Sequence, residues 1–348
     1  MIAISSYART VTKGRLLLIV IAVLGSVTAA CGEGGSGPTA DGDAARLVRV
    51  VTTVSPITNI VHNVGGVRVA VTGIVPEGTN SHTFEPAPSD AAVMEQAQIV
   101  FMNGLNLEEP TRELAEANIP DGVKIVKLGE LTIGPDDYIF DFSFPEAEGD
   151  PNPHLWTNPP YAKAYAGLVR DELSALDPEG LAVYEANYEA FAARIDELDV
   201  AVRAATETVP PENRKLLTYH DSFPYFAREY GWTVIGAIQP SDFADPTAQE
   251  VAGLIDQIRA EQVPAIFGSE VFPSPVLEQI AAETGATYVD DLRDDDLPGS
   301  HGDREHSYLG LMVFDFTTFI TALGGDPAAV AGLDVANVQP GNDVIYRD

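Results

Sequence analysis

Apolar and polar positions trace one pattern twice along this chain. Arg49-Val-Val-Thr-Thr-Val-Ser-Pro opens as a short apolar strand, turns, and enters an amphipathic run from Ile57 to Val64 that stops at Gly65-Gly66. Lys215-Leu-Leu-Thr-Tyr-His-Asp-Ser does the same, followed by Phe223 to Tyr230 and Gly231. A periodic apolar run ended by glycine predicts a helix with its stop. The next segments also match. Val67-Arg-Val-Ala-Val-Thr-Gly-Ile-Val-Pro parallels Trp232-Thr-Val-Ile-Gly-Ala-Ile-Gln-Pro, each a β-branched run closed by proline. Each leads through a polar loop to a helix capped by Ser89 or Asp245 and running to about Gln96 or Glu261. Ile99-Val-Phe-Met-Asn-Gly and Ala265-Ile-Phe-Gly-Ser-Glu then read as buried strands. Strand and helix in alternation predict an α/β fold of two lobes, each made of parallel βα units.

Between the halves, Pro178 to Thr208 is rich in Ala, Glu, Leu and Arg. Leu181, Tyr184, Tyr188, Phe191, Ile195, Leu198 and Val202 keep helical spacing. Asp177 can cap the start, and Pro210-Pro211 ends the run. At 1.5 Å per residue such a helix is roughly 45 Å long, enough to cross the molecule and restrict hinge motion. The expected layout is an N-terminal lobe over 47–176, a linking helix over 177–209 and a C-terminal lobe over 210–348.

The first thirty residues do not belong to that pattern. Arg9, Lys13 and Arg15 form a positive region, and Leu16 to Leu24 an apolar one too short for a comfortable membrane span. Thr28-Ala29-Ala30 then precedes Cys31. Residues 1–30 therefore read as a secretory signal. Small residues ahead of a cysteine resemble the lipobox of bacterial lipoproteins. The competing reading is a soluble secreted protein with a stray thiol. Cys31 is the single cysteine, so no internal disulfide can form. Residues 31–46, Gly- and Ser-containing, read as a flexible tether. The expected location is outside the cytoplasmic membrane, anchored through lipid on Cys31.

Charge narrows the partners. The chain of 348 residues carries a formal −32, and residues 1–30 hold three basic and no acidic residues, so the remainder carries −35. Such a surface repels nucleic acid and anionic lipid headgroups. It also concentrates cations weakly, subject to salt screening.

Three histidines and an aspartate then stand out in four separate loops. They are His82 in Asn-Ser-His-Thr-Phe-Glu-Pro, His154 in Asn-Pro-His-Leu-Trp, His220 in Thr-Tyr-His-Asp-Ser-Phe, and Asp294 in Leu-Arg-Asp-Asp-Asp-Leu. Half of the six histidines are used this way. Imidazole with carboxylate suits a divalent transition metal. Three of the four follow strand-like runs, and ligands of open parallel sheets bind beyond the strands' carboxyl ends. Two come from each half, so a bound ion would lie in the cleft between the lobes.

The stretches Ser-His-Thr-Phe-Glu-Pro-Ala-Pro-Ser-Asp, Asn-Pro-His-Leu-Trp-Thr-Asn-Pro and His-Asp-Ser-Phe-Pro-Tyr-Phe-Ala-Arg-Glu-Tyr-Gly resemble the metal-binding lipoproteins of bacterial zinc and manganese ABC importers, the TroA-like family. The likeness spans about residues 47–323. It implies a binding protein, not an enzyme, that captures an extracytoplasmic ion and delivers it to a permease and its ATPase subunit. It also implies a monomer with His82, His154, His220 and Asp294 as ligands. Asp295 is the alternative fourth ligand, one residue along the same loop. In that family a histidine at the third ligand position accompanies zinc and a carboxylate accompanies manganese, so His220 implies Zn2+, with Mn2+ or Fe2+ as the alternative. Asn80-Ser81 stands where Asp-Pro is common, and Asn158 where Asp is common, though Asn158 can still cap the next helix. The segment Gly134 to Asp150 has no histidine and six acidic residues where zinc members often carry a His-rich loop. It reads as a solvated loop.

Other residues receive plainer readings. Glu270, at the end of a strand in the second half, is a candidate acceptor for a ligand histidine. His62 lies in a helix without a partner nearby in sequence. His301 and His306 sit in a segment read as a flexible surface loop, with a weak second site as the sharper option. A cell-surface metallohydrolase would use Glu85 or Asp221 as a base, but four protein ligands leave no position for water and no His-Glu-x-x-His motif occurs. A surface adhesin with a structural metal is the third reading.

Overall fold

The computed structural model describes residues 47–239, 246–269, 274–339 and 344–346. The doubled pattern becomes two parallel sheets. The first is built from β1 (Val48–Thr52), β2 (Val69–Gly73), β3 (Ile99–Met102) and β4 (Lys124–Lys127). The second is built from β5 (Lys215–Thr218), β6 (Thr233–Ala237), β7 (Ala265–Phe267) and β8 (Thr287–Val289). Their orders are β4-β3-β1-β2 and β8-β7-β5-β6, the same arrangement repeated. One strand breaks the symmetry. β9 (Val344–Ile345), from the far end of the chain, pairs in parallel with β2 at the edge of the first sheet. Ala45–Asp348 forms one compact unit.

The strands are apolar along most of their length because both faces are covered. Val50, Val71, Val100 and Phe101 are buried in the first sheet, as are Leu216, Leu217, Ile266 and Phe267 in the second. Parallel strands covered on both faces read as continuous apolar runs. One apolar cluster reaches from Val50 and Ile57 through Trp156 and Phe191 to Phe226, Phe316 and Phe319. Phe226 stacks on Phe316 at 4.8 Å, and Phe319 meets Phe223 and Phe267 edge-on at 4.9 Å each.

The long helix spans Leu181–Thr206 after a 3-10 turn at Pro178–Gly180. Its 26 residues make about 39 Å, somewhat less than expected. Tyr184, Phe191, Ile195, Leu198 and Val202 are buried, whereas Leu181 in the first turn is exposed. The helix packs along the helices Ser55–Gly65 and Pro159–Leu176, joining both halves of the molecule. Asp177 does not cap it with its side chain. Its carboxylate receives two hydrogen bonds from Arg68 and one from the Tyr184 hydroxyl.

Two other caps differ from expectation. Ser89 falls inside a 3-10 turn, Pro88–Asp90, where Asp90 accepts from the Ala87 amide. The helix Ala248–Glu261 is capped by Thr247, whose hydroxyl accepts from Glu250 while Glu250 accepts from the Thr247 amide. This reciprocal pair satisfies two amides at the helix start. Asp245 lies outside the described residues. Among the described residues no helix is long and apolar enough to cross a membrane.

Two helical glycines give opposite expectations. A Cβ on Gly310 would lie 2.0 Å from the Glu305 carbonyl oxygen, which is backbone and cannot turn away. Gly310→Ala is expected to cost about 1–3 kcal/mol. A Cβ on Gly253, exposed in the helix Ala248–Glu261, would meet nothing within 4 Å. Gly253→Ala is expected to stabilise by ~0.5–1 kcal/mol. Urea unfolding of both variants checks the pair, and equal shifts would refute the packing argument.

Candidate metal centre

Each sequence-derived site residue sits in a loop that the fold aims at one point. His82 follows β2, His220 follows β5 by two residues, and Asp294 follows β8. His154 precedes the helix Pro159–Leu176. The loops beyond the carboxyl ends of the two sheets thus face one another. Nε2 of His82 lies 3.2 Å from Nε2 of His154 and 3.1 Å from that of His220. The same atoms of His154 and His220 are 3.0 Å apart. Among the described residues this is the one group of three or more His, Cys, Asp or Glu side chains with donor atoms so closely gathered.

The opposite ring nitrogens explain the orientation. Nδ1 of His154 faces Oδ1 of Asn152 at 2.9 Å, and Nδ1 of His220 faces Oε1 of Gln239 at 2.8 Å. An amide oxygen can only accept, so Nδ1 carries the proton in both rings. Nε2 is then the unprotonated nitrogen of each of these two rings. The Asn152 oxygen also accepts the His154 backbone amide, which fixes the Pro-rich loop around the ring. Asn80, the departure from the usual Asp, accepts the His82 amide through Oδ1 at 2.9 Å and orders that turn.

Asp294 stands next to the triad. Its Oδ2 is 3.8 Å from His220 Nε2 and accepts from the Ser222 hydroxyl. Its Oδ1 accepts the Asp295 amide, and its carbonyl accepts the Trp156 indole N–H at 2.9 Å. Asp295 is buried, and burial first, then the charge of Asp294, drives its carboxyl well above the usual range. Its carboxyl hydrogen-bonds to Ser81, and among the described residues no ion pair joins it to the three histidines. Of the two aspartates considered for the fourth position, the structure places Asp294 nearer.

The segment read as a solvated loop does more than that. Most of Gly134–Asp150 is exposed, but Ser143 and Phe144 are buried. The Phe144 ring lies over all three imidazoles, with centroids 5.4 Å from His82, 5.8 Å from His154 and 6.4 Å from His220. Ser143 anchors it from the other half of the molecule, donating to the Gln239 carbonyl at 2.6 Å and to Asp221 Oδ2 at 3.3 Å. The expectation failed because six acidic residues dominate the segment, and the alternating Phe140, Phe142 and Phe144 do not show in sequence which ring is covered. Asp221, weighed as a base, is committed to this loop. Asp141 packs near it, and burial with the Asp221 charge pushes the Asp141 carboxyl up to about 9. Glu85 is exposed.

Asn152, Gln239, Ser222, Trp156 and Phe144 were not singled out in the sequence. Asn152 and Trp156 fall inside or beside a recognised motif, but no spacing rule marks Gln239 or Phe144. Glu270 and Cys31 lie outside the described residues. His62 is buried in its helix, and His306, expected on a flexible surface, is buried too.

Parallel strands in two repeated sheets, with buried imidazoles gathered at their facing carboxyl ends, define a metal-binding substrate-binding protein of the ABC-importer type. The chain belongs to the family described as ZnuA, zinc-uptake complex component A, periplasmic, whose profile matches residues 50–322. That family comprises solute-binding proteins rather than enzymes. The manganese-binding lipoprotein MntA of Halalkalibacterium halodurans is 28% identical over 305 residues, covering 87% of this chain and 97% of that one. The iron-binding protein YfeA of Yersinia pestis is 29% identical over 284 residues, covering 81% and 88%. The periplasmic zinc-binding protein TroA of Treponema pallidum superposes with a TM-score of 0.72 at 26% identity, covering 80% of this chain and 99% of that one.

Burial first, then the nearby His220 ring, lowers the His82 imidazole well below ~6.5. The same two effects, with His82 added, lower His154. Both rings therefore stay neutral at pH values where an exposed histidine is already half protonated. Protons compete with a metal for these atoms only in more acidic solution than ordinary imidazole chemistry suggests. A pH titration of the metal-free protein followed by imidazole NMR should show His82 and His154 titrating below ~6.5. Midpoints at or above that value would contradict the geometry.

Proposed function

We propose that His82, His154, His220 and Asp294 hold a captured divalent ion, Zn2+ in preference to Mn2+ or Fe2+, which the protein delivers to an ABC permease and its ATPase subunit. The observation that carries this reading is the triangle of Nε2 atoms, 3.0–3.2 Å on a side. An ion about 1 Å off the plane of such a triangle would sit about 2.1 Å from each nitrogen, the usual Zn–N length. Both Asp294 oxygens already accept hydrogen bonds, which favours one oxygen turning to the ion over a bidentate grip. Three neutral nitrogens and one carboxylate suit four-coordinate zinc, whereas manganese favours more oxygen and lies at the weak end of the affinity series. A cavity of about 90 Å³ beside His82, lined in part by Phe144, Glu148 and Asp150, offers a cation a short acidic approach.

The metal preference is tested by calorimetric competition between the two ions. The unmodified protein should bind zinc more tightly than manganese. His220→Glu should lose zinc affinity at least about tenfold more than manganese affinity, a difference of ~1.4 kcal/mol. Tighter manganese binding by the unmodified protein would overturn the zinc preference and leave the transport role standing.

The same proposal places the protein outside the cytoplasmic membrane, held by lipid on Cys31 after removal of residues 1–30. A diacylated, N-acylated cysteine supplies several buried chains where one would bind only marginally. Cys31→Ala should move the protein from the membrane pellet to the soluble fraction when cells expressing each form are fractionated. Retention in the pellet would refute the lipid anchor.

A further inference from the structure

A second gathering of imidazoles lies apart from the first. A cavity of about 220 Å³ is lined by His62, His301, Asp303, His306, Asn337 and Tyr346, among others. Its walls come from the helix Ser55–Gly65, the turn after the Asp294 loop, and the last described strand. His306 is only 2% exposed, and among the described residues its ring nitrogens make no close hydrogen bond, with the Pro298 carbonyl as a looser acceptor. Buried polar atoms are rarely left so, and each exception calls for a water, an ion or a function. The nearest charged group is Glu77, whose Oε1 lies 3.7 Å from His306 Nε2. The His301 ring is 6.0 Å from the His306 ring, centre to centre. His62 Nε2 has a long 3.4 Å contact to the Gln339 carbonyl.

We propose that this cavity is a second, weaker site for a divalent transition-metal cation, held by His306 and His301 with Glu77 and His62 alongside. Imidazole donors suit zinc, copper and nickel, and a carboxylate offsets part of the ion's charge. Burial is the main influence lowering the His62 and His306 imidazoles, and the His301 ring adds to it in both. Their lone pairs are therefore available at neutral pH. The spacing sets the rank of the two sites. Ring centres in the first triad are 4.8–5.1 Å apart, against 6.0 Å here. An ion in the cavity would need small side-chain rotations and water to complete its shell. The location also matters. Glu77 accepts the Leu297 amide, and the Gly78 amide donates to Asp296. Glu77 and Gly78 precede His82, while Asp296 and Leu297 follow Asp294. An ion at His306 and Glu77 therefore adjoins both loops that serve the first site.

Equilibrium dialysis of the full chain against rising Zn2+, with elemental analysis, tests the proposal. The unmodified protein should take up one tight equivalent and one weaker one. The doubly substituted His301→Gln, His306→Gln protein should keep the tight equivalent and lose the weaker. His301→Gln alone, at an exposed position, should weaken the second equivalent and guards against misfolding caused by the buried substitution. His220→Ala should show the reverse, losing the tight equivalent and retaining the weak one, so failure at either site is seen separately. Cu2+ at the second equivalent should give nitrogen hyperfine splitting by electron paramagnetic resonance in the unmodified protein and not in the double variant. No second equivalent would overturn the site and leave the cavity to water. A second equivalent that survives the double substitution without a nitrogen signature would assign it to surface carboxylates.

Discussion

Three imidazole Nε2 atoms held 3.0–3.2 Å apart are the constraint on which the rest of this structure depends. The unprotonated Nε2 atoms of His154 and His220 repel one another at 3.0 Å. The arrangement survives because the repulsion is opposed from behind. Asn152 and Gln239 fix the tautomer and the tilt of two rings, and Asn80 orders the turn that carries the third. A divalent ion converts the same repulsion into attraction. Pre-organisation of this kind lowers the reorganisation needed on binding, and such supporting partners are worth about 10–100-fold in metal affinity.

The supports run across the cleft rather than within one half. The Asn152 amide donates to the Asp221 carbonyl, the Thr157 hydroxyl to that of Ser222, and the Trp156 indole to that of Asp294. Tyr225 returns a hydrogen bond to the Asn152 carbonyl. Residues from the His154 loop thus hold the backbones of both loops contributed by the second half. Phe144 closes the site from the same side, and Ser143 ties it to Gln239. The polar network orients the imidazoles, and the Phe144 ring covers one side of them.

Behind the cleft, the long helix and the helix Ser55–Gly65 pack against each other and against Pro159–Leu176. The chain's last described strand returns to β2, and the Tyr308 amide donates to Asn59, so the second half is tied to the first well away from the ion. Large hinge opening would have to break these contacts.

The sequence by itself determined the parallel βα plan, its repetition, the long helix and the identity of the gathered histidines. These are local signals: apolar runs, helical spacing, glycine stops and motif residues depend on neighbours in the chain. What only the tertiary structure decided depends on groups far apart in sequence. Asp294 stands nearer the triad than Asp295 because Trp156 and Ser222 hold that loop. Gln239 supports His220 from nineteen residues away. Phe144, one of three alternating phenylalanines in an acidic segment, is the one placed over the imidazoles because Ser143 finds a backbone acceptor across the cleft. His306 reads as a surface residue in its polar sequence, yet packing against Tyr346 buries it. Periodicity reports which face of an element is covered, but the partner that covers it is fixed only when the elements meet.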